Sequence, residues 1–179
     1  MKSILNSDFQ IIPSDNDFDY QAKLTSKLDN IERDFNQEII NEIVLWKVNR
    51  YAELNNELIS RINLIKKTDL RINETLTREV LFELLQTRGI KLPMASTILR
   101  FRNPRIFQII DQRVYRIIYD EKLKLPYNRH LPEQIDLYLK YLTDLRTVAD
   151  KLKIPFELSD RILFMADRRL NADDILDNY

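Results

Sequence analysis

The side chains of this chain that could do chemistry are concentrated in its middle. Between residues 86 and 129 stand ten bases: Arg88, Lys91, Arg100, Arg102, Arg105, Arg113, Arg116, Lys122, Lys124 and Arg129. Only three acids, Asp111, Asp120 and Glu121, accompany them, so this stretch carries +7 in a chain whose formal charge is zero. The first 45 residues carry −5 and residues 132–179 carry −3. A basic centre in an acidic frame is the footprint of a localised polyanion site; charges alternating on solvated helix faces would give the same count. Asp111 follows the apolar pair Ile109-Ile110 and opens a helical pattern, a good N-cap position for a carboxylate. Gly89 is the one glycine and suits a left-handed helix end. His130 is the one histidine and no cysteine is present, so no triad, thiolate zinc site or iron–sulfur ligation is visible and no metal is expected. Trp46 and Tyr51 read as core packing, with a base-stacking pocket as the alternative. Asp173 and Asp174 read as solvated charge in a fraying acidic tail.

The elements that must position these residues are helices. Hydrophobic residues make up 44% of 179 residues, enough for a core without disulfides. A single glycine argues against hairpin-rich folds, Rossmann folds and phosphate loops, all of which need glycines in turns and cradles. Residues 1–19 read as an irregular arm, and 20–179 as one all-α domain, a bundle of about eight helices. Leu24, Leu28, Ile31 and Phe35 mark the first helix, and a broad apolar stripe over 37–53 suits a buried second one. Further helices are expected over 55–66, 75–88, 93–102 and 111–121, then from Pro132 to the break at Pro155, and over about 157–170. The N-terminal MKSILNSDFQIIPSD is too short and too soon interrupted by Asp8 to read as a signal peptide. No apolar run approaches the roughly 20 residues of a membrane span. With no cysteine, these features lead to the expectation of a cytoplasmic protein without a membrane partner.

The segment Gly89–Ile117, GIKLPMASTILRFRNPRIFQIIDQRVYRI, reads as a tight turn, a short helix from Pro93, a connector through Pro104, and a second helix capped by Asp111. Here the chain resembles the helix-hairpin-helix superfamily of DNA glycosylases, the group that includes endonuclease III. Gly89-Ile90-Lys91 falls on the hairpin, and Ala95, Ile98 and Leu99 on the helix after it. Asp111 falls on the family's catalytic aspartate without insertion or deletion. Val114, Tyr115, Arg116 and Ile117 match the apolar, aromatic, arginine, apolar run beyond it. Three positions depart from the pattern. Lys91 replaces the hairpin's second glycine, Pro93 stands where bifunctional members carry a nucleophilic lysine, and Arg113 stands where a histidine often follows the aspartate.

The resemblance implies a partner, double-stranded DNA, and a role in base-excision repair. Gly89, Ile90, Lys91, Arg100, Arg102 and Arg113 are the implied nucleic-acid-binding residues, with Lys91, Arg100, Arg102 and Arg113 on one positive surface. If the protein is an enzyme, the resemblance implies a monofunctional glycosylase that flips a base from the duplex. Asp111 would then stabilise the positive charge developing on the sugar and help orient water. No cofactor is implied, and Pro93 leaves no amine there for a Schiff base. The alternative is a non-catalytic nucleic-acid-binding or regulatory module on the same fold, which the Lys91 departure favours. A helical protein–protein adaptor using the acidic flanks is a third reading.

Overall fold

The computed structural model describes residues 21–48, 52–126 and 130–172, and over these the chain is all-α, with eight helices and no strand. The N-terminal arm, Tyr51, Arg129 and the acidic tail with Asp173 and Asp174 lie outside the described residues. The chain divides into two compact units, Met1–Tyr51 and Ala52–Tyr179, with the boundary inside the span that reads as one domain in the sequence.

The first unit pairs α1 (Ala22–Asp29) with α2 (Gln37–Lys47). The periodic pattern runs on to Phe35, but α1 stops at Asp29. Asn30 closes it, its side-chain amide donating to the Ser26 carbonyl at 2.7 Å, and Phe35 is left 62% exposed. Asn36 then caps α2 by accepting from the Ile39 N–H at 3.0 Å. The expectation of a buried α2 is corrected. Only Ile39 of that helix is buried, while Ile40, Val44 and Leu45 are exposed. An apolar stripe that wide cannot be covered by one facing helix, and within this unit α1 is the only helix described. Trp46 is a packing residue of the pair, its indole N–H donating to Thr25 Oγ1 at 2.9 Å.

The second unit holds α3 (Asn56–Leu64), α4 (Glu74–Gln86), α5 (Leu92–Arg102), α6 (Gln112–Tyr119), α7 (Leu131–Leu152) and α8 (Ser159–Leu170), with a 3-10 turn at Phe156–Leu158 before α8. Its core gathers Leu58 and Ile62 from α3, Val80, Leu81 and Leu84 from α4, Leu92, Ala95 and Leu99 from α5, and Tyr138, Tyr141, Leu142 and Leu145 from α7. Each fully buried Leu, Ile or Val contributes roughly 1.5–3 kcal/mol by leaving water.

Side-chain caps open three of these helices. Asn55, Asn73 and Asp111 each accept from the N–H three residues on, at 2.7, 3.1 and 2.8 Å. Where a glycine would ordinarily close a helix, Asp120 and Lys153 take left-handed backbone, with φ of 55° and 56°. After α7 the Lys153 N–H bonds to the Asp150 carbonyl and the Ile154 N–H to the Ala149 carbonyl, the paired bonds of a Schellman end. Pro155 follows at once, so the chain cannot re-enter the helix.

Candidate functional site

The turn between α4 and α5 comes first in the chain. α4 ends at Thr87, and the Ile90 N–H closes a turn on the Thr87 carbonyl at 3.1 Å. Gly89 occupies the third position of that turn with φ +86°, where a β-branched or bulky residue would be strained. A Cβ there would meet nothing within 4 Å, so backbone conformation and not crowding demands the glycine. Ile90 turns inward and is buried, anchoring the turn to the core. Arg88, Gly89 and Lys91 are exposed. Neither Arg88 nor Lys91 makes an ion pair among the described residues. Lys91 is the N-cap of α5 but gives no side-chain cap, so the first N–H groups of that helix take no acceptor from it. Pro93, in the first turn of α5, offers only its carbonyl, which accepts from Ser96 Oγ and Thr97 Oγ1 at 2.7 and 2.8 Å.

From α5 the chain runs through residues 103–110 to Asp111, and other elements fix this connector from several sides. Phe107 and Ile110 are fully buried. Tyr138 and Tyr141 of α7 donate their hydroxyls to the Gln108 and Ile109 carbonyls, at 2.9 and 2.7 Å. Burial drives both phenols well above their ordinary pKa, so they stay neutral donors. The Ile110 N–H donates to Ser96 Oγ at 3.2 Å, and the Ile109 N–H to Asp160 Oδ2 at 3.3 Å. A buried connector has no water to satisfy its backbone, so side chains from α5, α7 and α8 do so instead.

Asp111 therefore emerges from a fixed segment. It is half-buried, and its carboxylate accepts from the Val114 N–H at 2.8 Å. Burial raises its pKa above the ordinary carboxylate value. The Val114 and Arg113 amides oppose that rise, and the charges of Asp160 and Asp167 add to it.

Those two aspartates belong to α8 and are buried. Asp167 receives Arg116 through Nε at 2.6 Å and Nη2 at 2.9 Å, and Arg113 through Nη1 at 3.0 Å. Burial alone would raise the Asp167 carboxyl, but hydrogen bonds from Arg116, Asn171 and Arg113 outweigh it and hold it below its ordinary value. Arg100 of α5 lies with Nε 3.6 Å from Asp160 Oδ2 and donates from Nη2 to the Glu157 carbonyl at 3.1 Å. An ionic seam thus joins α5, α6 and α8. Spacing explains it. Arg113 and Arg116 are three apart and share one face of α6, while Asp160 and Asp167 are two turns apart on the same face of α8 as buried Leu163.

The four cations that the sequence grouped on one surface are placed very differently. Lys91 is exposed at the turn. Arg100 is buried, with only 8% of its side chain exposed. Arg102 bridges to the Ile65 and Asn63 carbonyls at 2.6 and 2.9 Å, closing the end of α3. Arg113 is held by Asp167 and lies over the Phe164 ring. Asp160 and Asp167 were missed in the sequence, although two acids at i and i+7 on an apolar stripe were the available signal. Asp111 lies outside four pockets of the second unit, those beside Phe82, Leu142, Phe101 and Leu139. His130 is exposed at the start of α7, its Nδ1 3.0 Å from Glu133 Oε1. No helix among the described residues is long and apolar enough to cross a membrane. No protein-family model matches the chain, and neither a curated protein nor a solved structure does.

Proposed function

We propose that this protein is a glycosylase-like DNA-binding module that engages duplex phosphates through the turn between α4 and α5. The observation that carries this reading is the pairing of two exposed cations, Arg88 and Lys91, without acid partners among the described residues, around an exposed glycine just before α5. Backbone N–H groups at a helix start and nearby cations together suit a phosphate. The residue types match the hairpin of the resemblance, with Lys91 supplying by charge what a second glycine would supply by close approach. Ile90 and Gly89 support the turn, Ile90 from the core side and Gly89 by its conformation. Arg100, Arg102 and Arg113 hold the elements behind it.

Base excision by Asp111 is the second reading, and one observation favours it. Burial and two neighbouring aspartates destabilise the ionised Asp111 carboxylate, so a cationic sugar beside it would gain more than beside a solvated acid. In this reading the enzyme is monofunctional, releasing the base and leaving an abasic site uncut, because Pro93 supplies no amine. Fluorescence anisotropy with a labelled duplex tests the first reading. Wild type binds with a steep salt dependence, and Arg88→Ala/Lys91→Ala loses affinity. Asp111→Asn tests the second: it keeps the cap and abolishes release of damaged or mismatched bases from a duplex panel. A wild type that binds duplex but releases no base leaves the module without the chemistry.

A further inference from the structure

A second basic site lies away from the turn, where the end of α5 meets the loop after α3. A pocket of about 370 Å³ opens there, lined by Lys67, Thr68, Arg100, Phe101, Pro104 and Arg105. Its volume falls in the roughly 300–1,000 Å³ range of small-molecule pockets. Three of the six lining residues are cations, one is a hydroxyl, one is an aromatic ring, and none is a carboxylate.

The pocket is built, not incidental. Asn103, fully buried, ties its two walls together. Its Nδ2 donates to the Lys66 and Asp69 carbonyls at 2.7 and 3.0 Å, and its Oδ1 accepts the Arg105 N–H at 3.0 Å. Arg102 pins the same loop by its bond to the Ile65 carbonyl. The loop carrying Lys67 and Thr68 and the turn carrying Pro104 and Arg105 are therefore held in one geometry. Arg100 forms the floor. Its side chain is more than nine-tenths buried and is held by Asp160, at 3.6 Å, and by the Glu157 carbonyl, so it backs the pocket with positive charge. Phe101 stands at the rim with 61% of its surface exposed and the Arg100 guanidinium 5.3 Å from its ring centroid. An exposed phenylalanine beside three cations is the pairing that single-strand binders use, with the ring stacking a base and the cations holding its phosphate.

We infer that this pocket binds an unpaired nucleotide of a single strand, its phosphate against the exposed Lys67 and Arg105 and its base stacked on Phe101, with buried Arg100 adding positive charge from behind. The site is separate from the α4–α5 turn and does not depend on duplex binding there.

The test uses the full chain and a fluorescein-labelled oligothymidylate of about ten nucleotides, within the roughly 4–16 nucleotides of single-strand sites. Thymidine monophosphate and inorganic phosphate serve as competitors. Phe101→Ala weakens oligothymidylate binding by about tenfold, the effect of removing one stacked base. It leaves competition by inorganic phosphate unchanged. Lys67→Ala/Arg105→Ala weakens binding of all three ligands and lowers the salt slope by about 0.7 for each phosphate no longer neutralised. All three altered side chains are exposed, and unchanged melting temperatures verify that the variants fold. Arg88→Ala/Lys91→Ala leaves oligothymidylate binding intact. The inference is overturned if the wild type does not bind the oligonucleotide, or if neither pocket variant weakens it. It is also overturned if inorganic phosphate competes as well as the nucleotide, or if only the turn variant loses binding. In that last case the duplex reading survives and the pocket assignment fails.

Discussion

The α4–α5 turn and the α6–α8 seam draw their cations from the same basic stretch and use them in opposite ways. At the turn, Arg88 and Lys91 face solvent around a glycine with open space beside it. In the seam, Arg113 and Arg116 converge on Asp167, which has no exposed surface, and Arg100 lies beside buried Asp160. The +7 of residues 86–129 is therefore only partly a surface field: Arg100, Arg113 and Arg116 turn into the seam, while Arg88, Lys91 and Arg105 stay exposed. Asp160 and Asp167 of the acidic C-terminal segment neutralise the seam cations alone. A charge count along the chain measures how many cations are near one another in sequence, and burial decides which of them a partner can reach.

The difference predicts that the seam governs stability and the turn does not. Asp167→Ala leaves two guanidinium groups facing a buried void and costs about 3 kcal/mol, the low end for breaking a buried pair, because Arg113 is partly exposed and can turn toward water. Urea unfolding measures this, and Arg88→Ala/Lys91→Ala shifts the same curve by no more than about 0.5 kcal/mol. The pH dependence follows the same division. Asp167 has a folded pKa below its unfolded value, so its stabilisation is present above about pH 4 and is lost as pH falls through the depressed folded pKa. Asp167→Asn flattens the acid limb of stability against pH; an acid limb identical to wild type would show that Asp167 is not the linked group.

Smaller effects sharpen the comparison at the helix ends. Lys153 holds left-handed backbone at a Schellman end, so Lys153→Gly relieves strain and raises stability by about 1 kcal/mol, seen as a higher urea midpoint. Gly89→Ala has the opposite sign and a similar size. It is strained by φ +86° although its methyl group meets no neighbour. Smallest is Asp111→Asn, which keeps the cap and alters stability by no more than about 0.5 kcal/mol at neutral pH. Burial raises the folded pKa of Asp111. Its contribution to stability is full below the unfolded value and is lost as pH rises through the folded one, so the variant gains on wild type in that window.

Much of the fold was legible because periodicity and caps agree. Pro93, Asp111, Pro132 and Pro155 mark element boundaries to within a residue or two, and all eight helices lie on apolar stripes, although α1 and α2 stop at Asp29 and Lys47, short of stripes that run to Phe35 and over 37–53. The exposed face of α2 was not legible, since a wide stripe states how much should be buried and not whether anything covers it. Nor were the left-handed ends at Asp120 and Lys153, which carry no glycine to announce them. At the site, the turn at Gly89 and the cap at Asp111 could be read locally. The partners of Arg100, Arg102 and Arg113 lie 37 to 60 residues away, so no local pattern reveals them.

The measurement that tests the division most directly is the salt dependence of duplex binding for three proteins: wild type, Arg88→Ala/Lys91→Ala and Arg113→Gln. The turn variant's slope of log affinity against log salt is less steep by about 1.8, two phosphates at about 0.9 each. Arg113→Gln lowers stability and leaves the slope as in wild type. A slope unchanged by the turn variant, or lowered only by Arg113→Gln, would contradict the assignment of DNA binding to the α4–α5 turn.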